Sequence, residues 1–269
     1  MGRIPCMPKA NPPTDTIHNA LGVVARLRSE RAHKPAMAQA VSQVKTLQSR
    51  RFSGTYADVL RDPAYTAAAK FFLEELYADR DFADRDAQFS RVANTLQKLF
   101  PAAVVTTACA LAELHALTEQ LDQAMAYEYL ALTNDAHFSG SEATRYLTTW
   151  RKVEQQDKRR LQLQTVLTIG NDLARLTRTP GLRTLLKMMR RPANAAGMGM
   201  LQQFLESGFD TFAALAKQPG GANHFLDLIE QREGALIDML FHAPFADAEA
   251  ALHAILAPTC NKRAGDGDT

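Results

Sequence analysis

Hydrophobic residues recur every three to four positions along almost the whole chain, which is the spacing of amphipathic α-helices. The first such face holds Ile17, Ala20, Leu21 and Val24, and a second face of the same kind follows Pro35. No segment alternates between apolar and polar residues in the way that a half-buried strand does. We therefore predict an all-α fold, a bundle of about nine or ten helices.

Polar stretches between these apolar faces predict the domain organisation. The plainest internal loop is NDAHFSGSEA, in which Ser141 is placed to cap the helix that follows. Residues 142–178 continue as one long helical pattern with a candidate break at Gly170. The predicted organisation is a disordered tail, one helical domain whose two halves meet near a loop, and a polar tail: 1–15, 16–257 with the loop at 133–141, and 258–269.

Composition changes this interpretation little. Hydrophobic residues make up 46% of the 269 and charged residues 22%, which is typical of a globular protein. No apolar run approaches the ~20 residues that a membrane-spanning helix needs, and the N-terminus lacks the apolar segment of a signal peptide. The three cysteines, Cys6, Cys109 and Cys260, show no paired spacing. These features favour a cytoplasmic protein without disulfides.

Positive charge is concentrated in one part of the chain, although the net charge is only +2. Residues 173–199 hold six Lys or Arg and no acid. Within them a row of basic residues follows the spacing i, i+4, i+7, with one more beside it: Arg183, Lys187, Arg190 and Arg191. Such a row can bind an anionic surface. The alternatives are a solvated helix face and ion pairing with the acidic 74–86 region.

The segment FFLEELYADRDFADRDAQFSRV, residues 71–92, contains a doubled ADRD that raises the question of a metal loop. A calcium loop that began at Asp79 would need glycine at its sixth position, where Asp84 stands. We interpret the segment as a corner between two helices. In that corner Asp84 caps the second helix, Asp86 lies in its first turn, and Arg80 and Arg85 pair with nearby acids.

Three polar residues of the next helix are the candidate functional residues. His115, Glu119 and Asp122 follow i, i+4, i+7 and so lie on one face. They are an incomplete set for a metal site of the helical-bundle type, so we favour a polar stripe at a subunit or solvent boundary and assign no metal. If the protein has a pocket, these three would line it, with Asp81, Arg85 and Asp86 nearby. The sequence shows no phosphate-binding loop, dinucleotide fingerprint or Ser-His-Asp arrangement, so we assign no cofactor and no catalytic residue.

Several longer stretches carry a family resemblance. FFLEELY followed by DFADRDAQFSRV, then LQKLFP, LAELHALTEQLDQAMA and LLKMMRRPANAAGMGMLQQFLESGF, resemble a family of uncharacterised proteobacterial proteins. The resemblance covers most of residues 50–240. It implies an all-helical fold, and because that family has no assigned activity it implies no site residues.

Two functions remain open at this level. The sequence favours a non-enzymatic cytoplasmic protein that binds a protein partner or itself, with the basic helix as a possible contact for an anionic surface. The alternative is a helical-bundle protein that binds a ligand or metal, or an enzyme, with its pocket near His115, Glu119 and Asp122.

Overall fold

The computed structural model describes residues 12–75 and 82–257. Eleven α-helices and no strand form the described part of the chain, which confirms the all-α prediction. In chain order the helices are α1 (Pro13–Ala32), α2 (Pro35–Thr55), α3 (Thr66–Glu75), α4 (Ala83–Leu99), α5 (Ala102–Asn134), α6 (Glu142–Val153), α7 (Gln156–Leu176), α8 (Leu182–Ala195), α9 (Gly199–Leu215), α10 (Gly221–His242) and α11 (Phe245–Leu256). Of the predicted tails, 1–11 and 258–269 lie outside the described residues.

The stretch 142–178, predicted as one helix, is two helices, α6 and α7. The break is at Glu154, whose φ of 51° and ψ of 33° are left-handed. Gly170, the predicted break, instead lies inside α7. A Cβ at Gly170 would lie 2.5 Å from a methyl carbon of Leu226, so the glycine allows α7 and α10 to pack closely. Ser141 caps α6 as predicted, because its hydroxyl accepts a hydrogen bond from the backbone N–H of Thr144 at 3.0 Å.

The first ADRD, residues 78–81, is outside the described residues, and the second, residues 83–86, lies in α4. Helix α4 begins at Ala83, so Asp84 and Asp86 both lie in its first turn, and Asp84 is not the cap. Arg85 donates a hydrogen bond to Glu75 at 2.7 Å across the corner. The described part of the segment therefore matches the predicted corner in its helices and its ion pair.

The 33-residue helix α5 is the centre of the bundle and contacts α1, α2, α4, α6 and α7. Two large apolar cores lie in the bundle. One core joins α2, α5, α6, α10 and α11 around Tyr146 and Leu240. The other joins α2, α3, α7, α9 and α10 around Phe52, Phe72 and Phe225. Six buried polar side chains come from α2, α5, α7 and α10: Gln48, Arg51, Glu119, Asp122, Arg159 and Glu233.

The last described helix, α11, packs against α2 through a backbone contact. A Cβ at Gly54 of α2 would lie 2.0 Å from the backbone oxygen of Ile255, so the glycine is required for this approach. Arg50 adds a hydrogen bond to the backbone oxygen of Leu256 at 2.8 Å. Helix α11 thereby covers one side of α2.

Across residues 12–75 and 82–257, none of the helices has the length and apolar character that crossing a lipid bilayer demands.

Candidate functional site

A cavity of about 110 Å³ lies at the junction of the two cores. Side chains from α1 to α7, α9 and α10 line it. Part of its wall is aromatic and aliphatic, including Phe52, Phe72, Phe89 and Phe204. The rest is a set of charged and amide side chains that are buried in the interior. We call the part of the wall that α2, α5, α7 and α10 form with Lys45, Gln48, Arg51, Glu119, Asp122, Arg159 and Glu233 the ionic side.

Glu119 of α5 is held by two cations at the ionic side. Its Oε2 accepts from Arg31 of α1 and its Oε1 accepts from Lys45 of α2, each at 2.5 Å. Burial disfavours the charged carboxylate, but the charges and hydrogen bonds of Lys45 and Arg31 outweigh it and lower the pKa of Glu119 to about 2. Glu119 is therefore ionised at neutral pH, and its two oxygens are both in use.

Asp122 lies one turn further along α5 and is almost completely buried, at 3% exposure. Its Oδ1 accepts a hydrogen bond from the side-chain amide of Gln48 at 2.7 Å. Burial raises the pKa of Asp122, with the charges of Lys45 and Arg159 opposing the shift and that of Glu119 adding to it. Asp122 therefore binds a proton more readily than Glu119 does.

Two buried arginines complete the ionic side. Arg51 of α2 donates to Glu233 of α10 at 2.7 Å, and its side chain is 3% exposed. Arg159 of α7 donates to Gln162 at 3.2 Å and lies 4.4 Å above the ring of Trp150. This cation–π contact places the guanidinium over the indole at the cavity wall. These side chains come from helices that are far apart in sequence.

A second polar group lies on α4 at another part of the wall. Asp86 accepts from Arg28 at 2.9 Å, and its Oδ2 lies 3.1 Å from Nε2 of His115. Burial alone would raise the pKa of Asp86, but the hydrogen bonds of His115 and Arg28 lower it. Beside it, the Arg85 guanidinium lies 4.0 Å from the ring of Phe82. Asp86, Arg28 and His115 therefore form one hydrogen-bonded group between α1, α4 and α5.

The three residues predicted to line a pocket all line this cavity: His115, Glu119 and Asp122. Arg85 and Asp86 line it too, whereas Asp81 is outside the described residues. The structure does not bring the three together as ligands, because His115 contacts Asp86, Glu119 contacts two cations and Asp122 contacts an amide. Within the described ranges, no three His, Cys, Asp or Glu side chains are grouped as a metal ion would need.

Sequence reasoning missed Lys45, Gln48, Arg51, Arg159 and Glu233. A signal for two of them was present, because Gln48 and Arg51 continue the apolar face of α2 at helical spacing and are buried there. A polar residue on the buried face of a helix needs a buried partner. For Lys45, Arg159 and Glu233 we find no comparable local signal.

The predicted anion-binding row on α8 lies elsewhere, on the exposed surface. Arg183 pairs with Asp210 at 2.9 Å, and Arg190 pairs with Glu206, both on α9. These partners are not in the acidic 74–86 region that the sequence suggested as one alternative. Lys187 and Arg191 are exposed on the same helix. Acidic side chains of α9 thus already neutralise the charges of Arg183 and Arg190.

Comparison with known proteins adds a family but no activity. No curated protein matches the chain, and no solved structure matches it. A family model described as "Domain of unknown function (DUF8198)" matches residues 27–246, which include nearly all of the residues that line the cavity. The chain therefore belongs to this family of uncharacterised domains.

Proposed function

We propose that the protein is a cytoplasmic binding protein for a small organic molecule, which occupies the cavity between α2, α5 and α7. The observation that carries this proposal is the set of buried charged groups that share the wall of the cavity with aromatic and aliphatic side chains. A concave, mainly apolar space with a few convergent polar groups is the usual form of a ligand site.

Stability alone does not account for these charges. Removing two ions from water costs several kcal/mol each, and well-packed apolar residues of similar volume often serve a core equally well or better. The pairs Arg51–Glu233 and Lys45–Glu119 nevertheless lie beside apolar side chains that could have closed the space. Perturbed pKa values in a cleft, such as those of Glu119 and Asp122, are a further mark of functional sites.

The proposal is tested by asking whether the full chain carries a molecule in its cavity. Protein purified without denaturation would be analysed by native mass spectrometry, and its solvent extract would be analysed for small molecules. Ala112 is 1% exposed and lines the cavity, so Ala112→Leu should reduce the space. The matched control is Ala38→Leu on the exposed face of α2.

We expect a bound molecule in the parent and in Ala38→Leu, and a loss of it in a folded Ala112→Leu. Circular dichroism would establish that the variant is folded. Parent protein that carries no molecule, and whose melting temperature is unchanged by octanoate, octanol or octylamine, would contradict the proposal.

Partner binding is the second candidate function, and one observation favours it. Met188 on α8 is 63% exposed, beside the exposed Lys187 and Arg191. A surface that is both apolar and basic suits a protein partner or self-association. Light scattering over a range of concentrations should detect a dimer that Met188→Ser weakens and that Leu161→Ser, on another exposed face, does not. A parent that stays monomeric throughout would contradict self-association.

A further inference from the structure

The charges on the wall of the cavity almost cancel. Among the described side chains that line it, four are cations: Lys45, Arg51, Arg85 and Arg159. Five are carboxyls: Glu75, Asp86, Glu119, Asp122 and Glu233. The two signs therefore differ by a single charge when every carboxyl is ionised, and they balance when one carboxyl binds a proton.

Four of these five carboxyls contact a cation of the protein itself. The pairs, at 2.5–2.9 Å, are Glu75 with Arg85, Asp86 with Arg28, Glu119 with Lys45, and Glu233 with Arg51. Asp122 differs, because the hydrogen bond that it accepts comes from the neutral amide of Gln48. Burial raises the pKa of Asp122, so this side chain binds a proton more readily than an exposed aspartate does.

Gln48 and Asp122 keep hydrogen-bonding atoms that the described residues do not use. The two side chains are 6% and 3% exposed, and both line the cavity. The amide nitrogen of Gln48 donates to Oδ1 of Asp122 at 2.7 Å. Within residues 12–75 and 82–257, no group donates to Oε1 of Gln48 or to Oδ2 of Asp122. Buried polar atoms normally have a partner, and a molecule in the cavity can supply it.

The surroundings of Asp122 disfavour a charged head group. The charge of Glu119, one turn away on α5, acts on Asp122 and would repel a second anion there. The positive charges of Lys45 and Arg159 act on Asp122 too, so an ammonium group would meet like charges. Moving an ion out of water is unfavourable unless an opposite charge is free to pair with it. An uncharged head group avoids both conflicts.

A hydroxyl group fits the unused atoms of Gln48 and Asp122. Its hydrogen can be donated to Oε1 of Gln48, which only accepts, while its oxygen accepts from a protonated Asp122. When Asp122 is ionised, the hydroxyl instead donates to Oδ2. An ammonium group only donates and a carboxylate only accepts, so neither can serve both forms of Asp122.

Aromatic side chains supply much of the remaining wall. Six of them come from five helices and from the residue before α4: Phe52, Phe72, Phe82, Phe89, Trp150 and Phe204. Phe52 follows Gln48 by four residues, so the two lie on one face of α2, about 6 Å apart along it. Aromatic rings stabilise one another in offset and edge-to-face contacts, which suits a flat ligand. Because an apolar cavity of about 150 Å³ holds benzene, a space of about 110 Å³ suits a molecule of one ring.

We propose that the ligand of this cavity is a small uncharged molecule with a hydroxyl group on an aromatic ring, that is, a phenol. Its hydroxyl lies between Gln48 and Asp122, and its ring lies among the phenylalanines of the wall. This inference rests on the proposed ligand-binding function and adds the ligand class to it.

The head group is tested with phenol, benzoate and benzylamine, which share a ring and differ in charge. Isothermal titration calorimetry on the full chain at pH 7 should give the tightest binding for phenol. Benzoate and benzylamine should each bind at least about tenfold more weakly, because each carries a charge that the cavity does not match. Binding of either ion as tight as that of phenol would overturn the uncharged class.

The hydroxyl is tested with benzene and by substitution. Benzene should bind about fivefold more weakly than phenol, because it makes no hydrogen bond. Gln48→Leu and Asp122→Leu should each weaken phenol binding about fivefold and change benzene binding little. The matched controls are Gln43→Leu and Glu113→Leu, on the exposed faces of α2 and α5, which should keep the preference for phenol.

Either of the two cavity variants is sufficient for this test, and circular dichroism would establish which of them is folded. A folded Gln48→Leu or Asp122→Leu that keeps the full preference for phenol over benzene would overturn the position of the hydroxyl.

The aromatic ring is tested with cyclohexanol, which has the hydroxyl but no π-system. Cyclohexanol should bind about threefold more weakly than phenol, because it lacks the ring–ring contacts with the wall. Equal or tighter binding of cyclohexanol would overturn the aromatic part of the assignment.

The outcomes separate the ligand class from the ligand-binding function. Tight benzoate or benzylamine binding that Ala112→Leu abolishes would overturn the ligand class and keep the function. Phenol binding that a folded Ala112→Leu leaves unchanged would place the ligand outside this cavity and overturn the inference. A parent that carries no molecule, and that binds neither these probes nor the eight-carbon probes, would overturn both.

Discussion

Ion pairs of the interior and ion pairs of the α8–α9 surface use the same residue types in opposite surroundings. Around the cavity, Arg31 and Lys45 are only 12% and 13% exposed where they contact Glu119. On the surface, Arg183 and Asp210 are 58% and 53% exposed. Water competes for the hydrogen bonds of the surface pair and screens its charges, whereas little water reaches the interior pair. The loss of an interior ion pair should therefore lower the free energy of unfolding more than the loss of a surface ion pair.

The largest effect should follow the loss of the Glu119 charge. Glu119→Gln leaves Arg31 and Lys45 buried without a carboxylate, so we expect the free energy of unfolding to fall by about 3–5 kcal/mol. Asp210→Asn, which removes the partner of Arg183 at the surface, should change it by less than about 1 kcal/mol. Urea unfolding of both variants gives the comparison. Equal losses in the two would contradict it.

Acid should reproduce part of that loss without a substitution. The pKa of Glu119 in the folded protein is about 2, against an ordinary value of 4.5. A depressed carboxyl pKa stabilises the fold above the ordinary value, and the contribution is lost as the pH falls from about 4.5 towards 2. The loss amounts to about 3 kcal/mol. Subtracting the Glu119→Gln curve from that of the parent isolates this contribution, and parallel curves would refute it.

A smaller effect of opposite sign is expected at Asp122. Its neighbours are Lys45 and Gln48 of α2, Glu119 of α5 and Arg159 of α7, and burial raises its pKa. A carboxyl with a raised pKa favours the fold when protonated and loses that contribution as the pH rises through the folded value. Asp122→Asn should therefore gain stability relative to the parent as the pH rises above 3.8, the ordinary pKa of an aspartate. A constant difference across this range would argue against it.

The smallest effect should come from the basic row on α8. Reversing Arg183 and Arg190 together, to glutamate, places like charges opposite Asp210 and Glu206 but leaves both cores unaltered. We expect unchanged helicity and little change in melting temperature at 0.5 M salt. If the row serves a phosphate-bearing partner, the same variant loses binding to anionic vesicles or nucleic acid at low salt. A large loss of stability at high salt would mean that the surface pairs contribute like the interior ones.

Helical periodicity predicted the fold well because it depends on neighbours in sequence. The α5 spacing also predicted one shared face for Glu119 and Asp122, and both side chains line the cavity. Their partners could not be predicted in the same way, since Arg31 and Lys45 reach Glu119 from 88 and 74 residues away. The break at Glu154 was missed for a local reason, because no glycine or proline marks a left-handed residue there.

The contact between Gly54 and α11 has a consequence for the order in which the protein can fold during synthesis. Helix α2 leaves the ribosome early, yet the backbone of Ile255 that covers it is made some two hundred residues later. Until then one flank of the core that contains Val44 and Leu47 has no covering helix. The nascent chain must therefore keep that flank from aggregating until α11 arrives and completes the core.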